Sequence, residues 1–168
     1  MNLQEMKLIA TKQGKTEKYD VLRCVRKNGT ETSTKMPRQG QLPHDLIHYV
    51  VETALGYEHG FLGLIAKGAD LAFAMEQTHD IQNQQIADQA THAEALVESL
   101  QAQMWSGMFD NEQFLAGLEG ACSMRNRAVP DLSKINPERD LYEVVLALAQ
   151  RWLQVPFYAS LELDMQNI

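Results

Sequence analysis

Cysteine is scarce in this sequence, and several other signatures are missing from it. Two cysteines, Cys24 and Cys122, are too few for a disulfide framework and favour a reducing, cytoplasmic setting. No apolar run approaches the roughly 18 residues of a membrane span, and residues 1–10 carry Glu5 and Lys7 where a signal peptide would be apolar. Internal repeats and low-complexity segments are absent. So are a G-x-x-x-x-G-K-[ST] phosphate loop, a G-x-G-x-x-G turn after a strand, a G-x-S-x-G elbow and a C-x-x-C pair. Ser106 and Ser123 lack the motif context of a nucleophile. These absences exclude a secreted disulfide knot, a membrane-spanning protein and a disordered tail.

What is present suffices for one domain spanning residues 1–168, since the chain is 45% hydrophobic and 22% charged with a net charge of -7. The charge is unevenly placed. Residues 1–40 hold nine basic and four acidic side chains, a local +5, so the remaining residues carry -12. A basic start on an acidic body could serve nucleic acid, self-association or simply a hydrated strand face. The hydrated face is favoured, and nucleic acid disfavoured, because no aromatic stacking partners lie between these lysines and arginines.

The period of apolar residues divides the chain into a β-rich stretch (1–40), a helical one (41–157) and a C-terminal strand region (158–168). Met6–Ala10 and Tyr19–Arg26 alternate approximately, as strands do, and Asn28-Gly29 predicts a two-residue type I′ hairpin turn into a third, more exposed strand over Thr30–Met36. Five helices are expected: Pro43 to Gly56, Gly60 to Met75, His79 to Trp105, Asn111 to Met124 and Glu138 to Leu153. Pro43 suits a first helical position and Gly56 a stop. Gly63 and Gly68 inside the second helix imply close approach of a neighbouring backbone.

On the longest helix Ile86, Ala90, Ala93, Val97, Leu100 and Met104 form one narrow seam, suited to packing within a bundle or to a homodimer. Phe114, Leu115, Leu118, Ala121 and Cys122 are expected buried on the fourth helix, and Leu141, Val144, Val145, Leu148 and Trp152 on the fifth. Trp105 and Trp152 read as core anchors at helix ends. Ser160–Met165 alternates strictly, and its economical place is beside the N-terminal strands. The fold class is therefore α+β: an N-terminal antiparallel sheet joined by a C-terminal strand, with four to five helices.

One segment carries chemistry. In Pro43-His44-Asp45-Leu46-Ile47-His48, with Glu52 four residues on, about 100° per residue places His48 about 40° and Glu52 about 80° round the helix from His44. The strip borders the apolar face of Ile47, Val51 and Leu55, where a half-sheltered site belongs. Histidines at i and i+4 can hold Zn²⁺, as in H-E-x-x-H helices, and catalysis would need a third ligand and an open position. Asp45 stands in the place of that motif's general base, one methylene short. Glu52, Glu58 and His59 are candidate further ligands, as are His79 and His92 on the next long helix. The structural alternative is an acidic first turn at Asp45 and an ordinary His48–Glu52 pair.

The run from Leu42 to Glu52, with Leu55-Gly56 and Gly60-Phe61, resembles a family of small uncharacterised bacterial proteins with a P-H-D-L-x-H…V-E…G signature. That resemblance carries no activity. His44-Asp45-x-x-His48 is also similar to the H-D-x-x-H helix of the coenzyme Q biosynthesis scaffold family, which implies zinc. That pattern expects a glutamate at the position of Gly60. The first expectation for function is a non-enzymatic binding or interaction module. The alternative is a divalent-metal protein, or a metal-dependent hydrolase, built on His44 and His48.

Overall fold

A computed structural model describes residues 5–68 and 84–166. Four strands, β1 (Glu5–Thr11), β2 (Tyr19–Arg26), β3 (Glu31–Pro37) and β4 (Ser160–Gln166), form one antiparallel sheet in the order β3-β2-β1-β4. The alternation along each strand sets its two faces. Leu8 sits opposite both Cys24 and Leu163, and Met6, Ala10, Leu22, Met36 and Leu161 share their buried side. The other face is wet: Lys7 meets Glu162 at 3.6 Å and Arg23 meets Glu31 at 4.0 Å. Three of the nine basic residues, Lys7, Arg23 and Lys35, thus lie on a solvated strand face, where such pairs contribute little.

The hairpin between β2 and β3 differs from the two-residue type I′ turn. Among the described residues Gly29 (φ 87°) is left-handed and Asn28 is not, while Gly29 N–H donates to Arg26 O and Arg26 N–H to Thr30 O, each at 2.9 Å. That is a longer turn closed by a glycine bulge, with Lys27 and Asn28 spared the left-handed region. Asn28 supports it through its side chain, which accepts from Thr30 N–H at 3.0 Å.

The helices are α1 (His44–Leu55), α2 (Phe61–Ala66), α3 (Gln84–Ser106), α4 (Asn111–Met124) and α5 (Glu143–Leu153), the last entered through a π-helical turn at Pro137–Tyr142. None is long and apolar enough to cross a membrane among the described residues. Pro43 is the N-cap of α1 rather than its first residue, and left-handed Gly56 (φ 63°) ends it. Helix α2 stops at Ala66, because Gly68 adopts φ 113° just beyond. The expected continuation through Leu71, Phe73 and Met75, and the expected start of the third helix at His79, lie outside the described residues.

Ala90, Ala93, Val97, Leu100 and Met104 of the α3 seam are buried, against α4 and α1 above all; of Ile86 only the backbone is described. The described seam residues are thus packed within the chain. Three expected core residues prove exposed. Trp105 lies about 100° round from the seam residue Met104 and is 71% exposed. Leu115 falls off the Phe114–Leu118–Cys122 stripe of α4. On α5 the buried stripe is Val145, Leu148, Ala149 and Trp152, and Val144 lies outside it because the π turn widens the spacing from Leu141.

Candidate metal centre

Helix α1 lies between the sheet and α3, burying Leu46, Ile47, Val50 and Val51. Its polar strip faces the crossing with α3. One helical turn separates His44 from His48, so their rings stack edge to face with centroids 4.9 Å apart. His48, at the inner end, is 1% exposed, and α3, packed against α1, delivers Glu94 to it. One Glu94 oxygen lies 2.9 Å from His44 Nε2 and the other 2.7 Å from His48 Nε2. One ligand atom from each of these three residues falls within 4.8 Å of the others, and the group could hold a metal ion.

The far sides of both rings are also engaged. His48 Nδ1 is 3.0 Å from Glu52 Oε2, and His44 Nδ1 is 3.3 Å from Gln101 Oε1. Both outer partners offer an acceptor oxygen to Nδ1, and both Nε2 atoms face the same carboxylate. Two lone pairs and a carboxylate cannot share one space without a cation between them. Protons can supply it, and so can a metal. Burial alone would push the His48 imidazole down, but hydrogen bonds and charge from Glu52 and Glu94 outweigh it and hold His48 up at about 10. Burial likewise favours a neutral Glu94, yet its hydrogen bonds to the two histidines keep that carboxyl well below the usual range.

Glu52 is therefore an outer residue of the cluster. Its carboxylate, 1% exposed, accepts the Leu62 N–H at 3.0 Å and the Gly63 N–H at 3.1 Å, capping α2. Gly60 makes room, since a Cβ there would run into that carboxylate. The other end of α2 is held by Arg26, whose Nε donates to Ile65 O at 2.6 Å.

The remaining candidates lie elsewhere. Asp45 is half-buried beside the cluster without joining its three ligand atoms; burial pushes its carboxyl up, with the two histidines pulling the other way. Glu58 is exposed and uses its carbonyl to accept from Lys67 Nζ at 2.6 Å. His59 donates its backbone N–H to Gln89 Oε1 at 2.7 Å, and its ring is pulled below the usual range by burial. His92 Nε2 lies 2.8 Å from Ala128 O. His79 is outside the described residues. Sequence reasoning missed Glu94 and Gln101. Their spacing of seven places them on one face of α3 beside the alanines, but that signal does not say what they would meet.

No family model matches this chain, and no curated protein or solved structure is significantly similar to it.

Proposed function

We propose that the protein binds one divalent cation through His44 Nε2, His48 Nε2 and the Glu94 carboxylate, with Zn²⁺ the first candidate. The observation that carries this reading is the convergence of two Nε2 atoms on one carboxylate while both Nδ1 atoms are tied to outer acceptors. Carboxylate or amide partners on the far nitrogen are how metal-binding histidines are oriented. Two imidazoles and a carboxylate suit zinc and also other borderline ions. A tetrahedral ion with bonds of about 2.0–2.2 Å holds its ligand atoms about 3.4 Å apart, so the 2.9 and 2.7 Å contacts of the carboxylate with the two Nε2 atoms would each lengthen by about 0.5–0.7 Å to admit one.

Metal analysis of untagged protein after incubation with Zn²⁺ and gel filtration tests this. About one ion per chain is expected in the wild type, and almost none in His44→Ala or Glu94→Gln. Both replaced side chains are partly exposed, so the variants should keep the wild-type circular dichroism. Wild-type protein that leaves the column without metal overturns the reading.

The exposed side of the cluster favours a second reading, metal-assisted hydrolysis. His44 and Glu94 are 31% and 37% exposed, so a fourth ligand position would face water, as a catalytic zinc requires. Zinc-dependent cleavage of generic ester or phosphodiester probes, lost in Glu94→Gln, would support it. Equal rates in metal-loaded and metal-free protein would leave a binding module.

A further inference from the structure

A second concave site lies at the C-terminal end of α5. Trp152, Leu153, Phe157, Lys12, Arg38 and Gly40 are among the residues lining a cleft of about 590 Å³. That volume lies in the range of small-molecule sites, which pair apolar walls with a few placed polar groups.

Its two cations differ. Arg38 is spent on Asp20, with Nε to Oδ2 at 3.2 Å and Nη2 to Oδ1 at 2.8 Å, and the same Nη2 donates to Gln13 O at 2.9 Å. Asp20 is 3% exposed and also accepts the Gln13 N–H. This pair is locally neutral. Lys12 has no carboxylate within ion-pairing distance among the described residues. Its Nζ donates to the Trp152 carbonyl at 2.5 Å and stands 4.8 Å from the centroid of the Trp152 ring. An ammonium has three donors, so two are left for a ligand. Burial pulls Lys12 below its usual range, against the charge of Asp20. A counter-ion would relieve that cost.

The frame around Lys12 is fixed. Its N–H donates to Ala159 O at 2.9 Å and its carbonyl accepts the Tyr158 N–H at 2.5 Å. Tyr158 takes φ 67°, a left-handed conformation costly for a residue with a Cβ. The loop between α5 and β4 is thereby fastened beside Lys12, while Leu153 and Phe157 at the mouth remain 70% and 51% exposed.

We infer that this cleft binds a small organic carboxylate with an apolar or aromatic body, its carboxylate on Lys12 Nζ and its body against Trp152, Leu153 and Phe157. A monoanion fits better than a phosphate, because Lys12 is the one cation lining the cleft whose charge no carboxylate already offsets among the described residues. None of the proposed metal ligands lines this cleft.

Amide spectra of the full chain titrated with phenylbutyrate, and separately with its uncharged amide, test the inference. Shifts are expected at Lys12, Gly40, Leu153 and the Trp152 indole, with the amide bound on the order of tenfold more weakly. Lys12→Met should bring the acid down to the affinity of the amide. Leu153→Asp, at an exposed position that folding does not need, should weaken the acid further by placing a carboxylate at the mouth. Equal binding of acid and amide by the wild type overturns the role of Lys12. Shifts centred elsewhere, or none at millimolar ligand, overturn the site.

Discussion

Glu94 matters because it turns two histidines of one helix into a centre shared by two helices. His44 and His48 were legible in the sequence, since i and i+4 must share a face whatever surrounds them. Glu52 was legible as a neighbour but not in its role, because its partners Leu62 and Gly63 follow a change of chain direction that periodicity does not encode. A second acid shows a similar local logic. Asp140 accepts from Arg139 Nε and from the Asn136 N–H, each at 2.8 Å, and the Arg139 guanidinium first, then that N–H, pull its carboxyl from an ordinary 3.8 to about 2. A depressed value means the stabilisation is present above the ordinary pKa and is lost as pH falls through the folded one. Thermal melts should therefore find Asp140→Asn less stable than wild type at neutral pH. The gap should close as pH falls from about 4 toward 2; a gap independent of pH would dismiss the ion pair as its cause.

Among the elements, α2 is the least self-sufficient. Six residues cannot hold a helix by propensity, and it persists between the Glu52 carboxylate at one end and Arg26 at the other. Gly63 lies where the Glu58 carbonyl presses in, so that a Cβ would collide with backbone. Alanine in place of a helical glycine usually stabilises by about 1 kcal/mol. Here Gly63→Ala should destabilise by roughly 1–3 kcal/mol in urea unfolding, because overpacking against backbone outweighs propensity. A neutral or positive result would mean that the Tyr57–Gly60 turn yields. Strand alternation and helix seams were readable because one face of each must be dry. The glycine bulge at Gly29, the π turn before α5 and the exposure of Trp105 were not, since each depends on a shift of about one residue within an otherwise correct pattern.

At the scale of the molecule, sheet and helices share one apolar interior, and both cysteines lie in it. Cys24 and Cys122 are each 0% exposed, and burial pushes the Cys24 thiol up to about 12. Alkylation needs a thiolate that reagent can reach. Iodoacetamide at about pH 8 should leave both thiols of the native protein unmodified over minutes and label both rapidly in urea, with the slow native rate following global opening. Rapid native labelling of Cys122 alone would show that α4 opens independently.

The sheet order also sets a schedule. Thr11 and Ser160, joined by a 2.7 Å side-chain hydrogen bond, stand 149 positions apart in the chain. A ribosome adding about 5–20 residues per second therefore delivers β4 roughly 7–30 s after β1. Until then β1 has no partner on its β4 side, and the nascent chain carries an open strand edge. The final strand closes the sheet, and the rate of translation decides how long that edge must be kept from other chains.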